Sequence, residues 1–566
     1  MPHNPAHSYV GWRDAFGTDP PPDGLRFYLQ RLPKTWLVEI LGKIGTTLFN
    51  SGSYYFNPNQ QIEFIATFKR CSGVSYAERI ARLIASDASR TLVHPSLVAT
   101  LTSYALLYGS DDERVPGFAW DHLLRAILLL NTQYGRVRLN RTGNAEDFLP
   151  YEIEIMLEIN SNFGFVMARY FNFMQWASEQ RDTVEDYIPI QADVPDFLGM
   201  PYEEYAAAAF AVVNPFMSRL SLSDWQRQPG FIDMNAWLAT LDERRTVHAF
   251  LDSLAIDPAV ATAALLTRPM SYGLADLRPF VDKPLLQIGD MRYACPYQGF
   301  LRNRLGEGLY WAIFDGYKRR GQEAVAKRFT RFFGHFFEQY IFGLIQAAMA
   351  ERSGIRLFPE QPYRVPQGQR KSSDVTLISG ETAVFIEVTH TRFPLDEALC
   401  DRAPDAIDRS IQAIFVRKAR QLNDRINDYL RGSYNLDGVD PTSIKRIFPV
   451  IVTEQHIPQL IALPRRIRSA IRQHGFLTAW EDVQFACAED AEALYVSSDG
   501  KMDLDGILVR KAAMPQYVHR DLATYLYDNE NEKIAYRAGA SVPGYRELTQ
   551  QIVLPTLRRW GLPSSS

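Results

Sequence analysis

Cysteine is scarce in this sequence, and basic residues do not dominate it. The four cysteines, Cys71, Cys295, Cys400 and Cys487, are far apart and form no CxxC pair. That excludes a zinc knuckle or a disulfide framework and fits a reducing cytoplasm. Long apolar runs are missing too. The most apolar stretch, Tyr205 to Met217, is too short to span a bilayer and contains Pro215. The opening residues carry no apolar core of signal-peptide length. A cytoplasmic protein without a membrane anchor is therefore expected. The net charge of −4 gives no general attraction for nucleic acid, so any such binding must rest on local patches. There is no repeat at a fixed period. No helix-turn-helix or zinc-finger pattern is present to read a base sequence.

What is there is a long chain of ordinary globular composition, 46% apolar and 22% charged over 566 residues, too long for one hydrophobic core. From about Leu25 to Leu265 the helical period dominates. Helices are expected over Arg31–Phe49, Ser96–Leu107, Asp121–Leu130, Glu146–Ser178, Tyr202–Leu220 and Ala236–Leu254. Another is expected to begin at Ser75, closed by a capping box with Glu78. Glu152, Glu154 and Glu158 read as a solvated helix face. Near Pro279 the texture changes. Leu285–Pro296 reads as a hairpin around Gly289-Asp290. The most aromatic helix follows, Glu323 to Met349, apolar nearly all round and so a core helix and not a base-stacking platform. Glu338 interrupts its apolar centre and, at 100° per residue, shares a face with Gly334, Ile341 and Ile345. Strands are expected at Arg446–Glu454 and Val483–Asp490, and helices at Ala406–Leu430 and Pro464–Gln473. The resulting division is a helical region at 1–278, an α/β junction at 279–321, an α/β domain at 322–515 and an extension at 516–566.

The stretch with the most chemistry runs from Lys371 to Arg392. It reads as two strands joined by a turn at Ser379-Gly380-Glu381-Thr382. Asp374 stands at the start of the first strand. Glu387 lies inside the second, in an apolar run where a carboxylate is costly unless it is paired or binds a cation. Two carboxylates on neighbouring strands suit a hard metal ion.

Glu338 on the leading helix, Asp374, the strand Phe385-Ile386-Glu387-Val388-Thr389, and the later helix with Lys418 and Gln421 together resemble the PD-(D/E)XK, or restriction-endonuclease-like, superfamily. The resemblance covers about Glu323 to Lys511. It implies an α/β restriction-endonuclease-like domain with a mixed central sheet there; with the all-helical N-terminal region read from the periodicity, which carries no such resemblance, the expected class is α+β overall. It further implies Mg²⁺, with Mn²⁺ as a substitute, held by Asp374, Glu387, the Val388 carbonyl and Glu338. The reaction implied is phosphodiester hydrolysis in nucleic acid, with DNA favoured, and by analogy a role in defence against foreign DNA. The superfamily's lysine lies two residues after the glutamate, where period two puts it on the same face. Here that position is Thr389, whose hydroxyl can hold a water but supplies no charge. Lys371 and Lys418 are the candidate substitutes, ahead of His390, which alternation turns to the opposite face. The alternative is an inactive relative that binds nucleic acid or scaffolds a complex. Arg319, Arg320, Lys327 and Arg328 form one basic cluster and Arg465, Arg466 and Arg468 another, both candidates for phosphate contacts. The helical N-terminal region is the candidate surface for a protein partner or a second copy.

Overall fold

The computed structural model describes residues 8–50, 58–87, 90–139, 162–180, 184, 186–217, 231–233, 244–267, 277–366, 368–391, 404–455, 462–498, 500–518, 522–529 and 541–560. Glu152, Glu154, Glu158, Cys400 and the tail from Gly561 lie outside them. The protein is mixed α+β, and the chain forms two units. One comprises Met1–Asp147, Leu198–Leu309 and Gln550–Ser566, the other Phe148–Phe197 and Tyr310–Thr549. Each unit is therefore assembled from separate stretches, where the sequence had suggested consecutive blocks.

The first unit is built on helices whose apolar stripes meet. Lys34–Asn50, Pro58–Ser72, Ala77–Ser86, Pro95–Tyr108 and Ala119–Leu139 bury Leu41, Ile44, Phe64, Phe68, Ile80, Leu101 and Ile127 in one core. It is not wholly helical. Ser8–Tyr9 pairs with Arg90–Thr91, and the expected hairpin, Leu285–Gly289 with Arg292–Ala294, gains Ala255–Ile256 and Ile232–Asp233 as flanking strands. Strands of two residues are too short to show alternation. The capping box at Ser75 does not form: Tyr76 takes the cap position without a side-chain bond, and Glu78 turns to Lys69, at 2.5 Å.

The second unit is a sheet between helices. Among its elements are α1 (Phe163–Glu179), α2 (Glu323–Ala348), β1 (Ile355–Pro359), β2 (Pro362–Val365), β3 (Gly368–Lys371), β4 (Val375–Ser379), β5 (Thr382–Thr389), α3 (Arg417–Leu430), β6 (Arg446–Thr453), α4 (Ala462–Gln473), β7 (Gln484–Cys487), α5 (Ala488–Ser498) and α6 (Leu504–Ala512). The sheet order is β7-β6-β5-β4-β1. β1, β4 and β5 run antiparallel to their neighbours among themselves, while β5, β6 and β7 are parallel. The expected turn closes β4 on β5, with Gly380 at φ 55 supplying the left-handed residue. The parallel pairing of β5 and β6 needs a long crossover, which carries α3. β2 and β3 form a separate hairpin.

Alternation along the strands sorts side chains between two layers. Phe385, Ile451 and Phe485 pack on the α3–α4 side with Leu422, Ile426 and Ile467. Ile386 and Val452 face Ile345, Leu494 and Leu508 of α2, α5 and α6. α2 is a core helix, as its pattern required. Its outer aromatic face is covered by α1, where Phe173 meets Phe333 and Phe336 at ring-centroid distances of 4.9 Å and 5.2 Å. α1 is also fixed by a buried ion pair, Arg169 to Glu492 at 2.9 Å and 3.0 Å, with Tyr340 donating to the same carboxylate.

Candidate functional site

Asp374 ends the short link between β3 and β4. Its Oδ2 accepts a hydrogen bond from the Val388 amide at 2.7 Å, so β5 fixes its direction. In a strand the N–H and C=O of one residue point to the same side, and the Val388 carbonyl therefore also faces Asp374. Glu387 is fully buried on the α3 side of the sheet. A carboxylate with no access to water must be paired, and α3 supplies the partners. Lys418 Nζ lies 3.1 Å from Glu387 Oε2 and 3.6 Å from Asp374 Oδ2. Arg425 forms an ion pair with the other oxygen of Glu387 and comes within 3.8 Å of Asp374 Oδ1. Lys418 and Arg425 are seven residues apart, which places them two turns apart on one helix face. Gln421 lies between them, and its side-chain oxygen is buried without a hydrogen-bond partner among the described residues.

Glu338 approaches from α2, on the other side of the sheet. It is half-buried, with its carboxylate 3.9 Å from His335. Burial, and then the charge of Asp374, push its pKa up to about 8, against the opposing pull of Lys418. It thus joins the electrostatics of Asp374 across the strand end. His390 also faces α2, as alternation required, with its ring so close to Gly334 that a Cβ there would lie 2.9 Å from Nδ1.

Two expected contributors are corrected. The Thr389 hydroxyl is used locally: it donates to the Thr391 hydroxyl at 3.0 Å and accepts from the Thr391 amide at 3.2 Å. Lys371 ends the exposed hairpin and gives its ammonium to Glu360 at 2.7 Å. It contributes to the field at Glu338 and Asp374 but does not sit between the carboxylates. Of the two substitutes read from the sequence, Lys418 is the one that reaches both.

The basic clusters also divide. Arg320 is paired with Asp193 at 3.0 Å and lies over the Phe197 ring. Arg466 is bidentate to Asp408 at 2.9 Å and 2.7 Å. Arg468 is buried, donates to the carbonyls of Val483 and Val518, and has its pKa pushed down to about 10 by desolvation. Arg468 is thereby removed from the surface, whereas Arg320 is exposed and Arg466 half-buried, each already engaged by an acidic partner. Arg319, Lys327 and Arg465 are exposed, and Arg328 is half-buried. A groove not foreseen from the sequence adjoins the carboxylates. Tyr363, Arg370 and Lys371 of the β2–β3 hairpin line one side, and Gln421, Asp424 and Arg425 of α3 the other. Asp428 anchors the hairpin by accepting from Tyr363 at 2.7 Å and Arg370 at 2.9 Å.

Among the described residues, no group of three or more His, Cys, Asp or Glu side chains is arranged to hold a metal ion. Mg²⁺ asks for less, commonly one or two carboxylates with water in its remaining positions. Asp374 and Glu387 converge on two shared cations, Lys418 and Arg425, and the Val388 carbonyl faces Asp374. This donor set fits a hard divalent ion. Among the described residues no helix is long and apolar enough to cross a membrane. No family model, curated protein or solved structure matches the chain.

Proposed function

We propose that the chain is a divalent-metal-dependent nuclease of the PD-(D/E)XK kind, hydrolysing phosphodiester bonds in nucleic acid, with DNA the favoured substrate. The observation that carries this reading is the position of Lys418 within 3.6 Å of both strand carboxylates, in the role that Thr389 leaves open. The succession α2, β1, β4, β5, α3, β6 supports it, with a carboxylate on α2, before β4 and within β5. Asp374, Glu387 and the Val388 carbonyl would hold Mg²⁺, or Mn²⁺ in its place, and Glu338 would reach the same region from α2. The ion would supply Lewis-acid stabilisation of the phosphoryl oxygens and lower the pKa of a bound water. The Lys418 ammonium can hydrogen-bond that water and offset negative charge developing on the phosphate. Buried Glu387 keeps the ammonium in place. By analogy, the helical region binds a partner or a second copy, and the protein acts in the cytoplasm in defence against foreign DNA.

A second reading is a nucleic-acid-binding or scaffolding subunit without turnover. It is favoured by the Arg425–Glu387 ion pair, which leaves both carboxylates compensated without a metal. Plasmid and single-stranded substrates incubated with Mg²⁺, Mn²⁺ or EDTA, beside Asp374→Ala and Glu387→Ala, separate the two. The nuclease reading expects cleavage that needs the metal and both carboxylates. Cleavage surviving both substitutions excludes this site, and binding without cleavage under every condition favours the second reading.

A further inference from the structure

Arg425 was not among the residues that the sequence pointed to, yet it is paired with both strand carboxylates. Its guanidinium is paired with the buried Glu387 and lies within 3.8 Å of Asp374. Its other terminal nitrogen is 4.0 Å from Glu360. The same side chain lines the groove beside the hairpin. Arg425 thus stands between the buried carboxylates and the groove, with a second acceptor beside it.

Charge decides what this position can do. Asp374 and Glu387 are balanced by Lys418 and Arg425. A divalent ion added to that balanced set would bring two uncompensated positive charges into a region where charge is poorly screened. The mismatch is reduced if one resident cation leaves. Both cations bridge the two carboxylates and are similarly buried, 11% exposed for Lys418 and 15% for Arg425, but Arg425 also lines the groove and lies beside the Glu360 oxygen that Lys371 does not use. An arginine side chain is long enough to move its head group between these sites while its stem stays packed.

We propose that Arg425 is a two-position residue: it occupies the shared cation place of Asp374 and Glu387 in the metal-free protein, and it yields that place to a divalent ion by turning toward Glu360 and the groove. In the outward position the guanidinium faces the path by which a phosphate would approach, with a planar fork suited to phosphate oxygens. The inference rests on the metal-site reading above, and it makes Arg425 both a competitor for the ion and a positioning residue for the strand.

Titration of the metal-free full chain with Mn²⁺ by calorimetry tests it without reference to activity. The proteins compared are wild type, Arg425→Gln, Arg425→Lys and Glu387→Gln. Loss of binding in Glu387→Gln, with at least about tenfold tighter binding in Arg425→Gln, supports the proposal. Arg425→Lys keeps the charge but shortens its reach, and its affinity should fall between the two; it also serves if the glutamine variant fails to fold. Binding that depends on Glu387 but is equal in wild type and both arginine variants overturns the proposal and leaves the metal site standing. Binding that is absent throughout, or unaffected by Glu387→Gln, overturns the metal-site reading and the proposal with it.

Discussion

Replacing Lys418 with methionine removes the ammonium while keeping most of the side chain's length and apolar contact. At an effective dielectric of about 20, a positive charge at distances of 3.1 Å and 3.6 Å has a gross attraction of roughly 5 kcal/mol to each carboxylate. Desolvation of the ammonium offsets much of that. Measured losses on removing one member of a buried pair run at about 3–5 kcal/mol. Arg425 remains to compensate Glu387, which places the expected loss at the low end, about 3 kcal/mol. Urea unfolding in EDTA at neutral pH reads it directly, with Lys371→Met as a control expected to lie within about 0.5 kcal/mol of wild type because its ion pair is exposed. With Mg²⁺ and a cleavable strand, kcat of Lys418→Met should fall by about 10²–10³ with KM little changed, as for loss of a group that acts on the transition state. A stability loss under about 1 kcal/mol, against the range expected for a buried pair, would show that the ammonium does not sit between the carboxylates. Stability lost with cleavage intact would leave Lys418 a structural role alone.

Arg169→Met leaves Glu492 buried without its cation and should destabilise the second unit by about 3–5 kcal/mol; pairing it with Glu492→Leu should recover much of this in the same unfolding assay. No recovery in the double variant would mean that packing around α1, and not charge, sets the cost. Glu338 has a carboxyl whose folded-state pKa lies above its unfolded value, so its contribution to stability is full below about pH 4.5 and is lost as pH rises through about 8. Between pH 6 and 9 in EDTA the wild type should therefore lose more stability than Glu338→Gln, and parallel pH curves for the two proteins would refute the assignment.

Much of the second unit was legible because its central strands are long, near-continuous apolar runs, buried on both faces. Thr382–Thr389 and Arg446–Thr453 were readable as buried strands, and Glu387 stood out as the charge within an apolar run. β1 and the β2–β3 hairpin were missed: each strand is short, and Pro359 and Pro362 break the pattern between them. Arg425 was legible in principle, since a seven-residue step from Lys418 returns to the same helix face, but nothing local marks it as buried. The split use of Arg465, Arg466 and Arg468 depends on the acids and carbonyls that the fold brings beside them, which a run of basic residues does not disclose. The placement of α1 against α2 was beyond reach for a related reason: its partners are far along the chain.

That separation also puts assembly on a clock. The carboxylate that fixes Arg169 is made 323 residues after it. At a synthesis rate of about 5–20 residues per second, roughly 15–65 s pass before α1 can complete its ion pair. Phe173 and Trp176 lack the helix that covers them until α2 has emerged, about halfway through that interval. The first unit waits as well, since its last helix, Leu554–Arg559, joins Glu204 through Arg559 only after nearly the whole chain has emerged. A nascent chain of this protein therefore presents an aromatic helix face to its surroundings from the completion of α1 until α2 emerges, which makes α1 the segment where a holding chaperone would act.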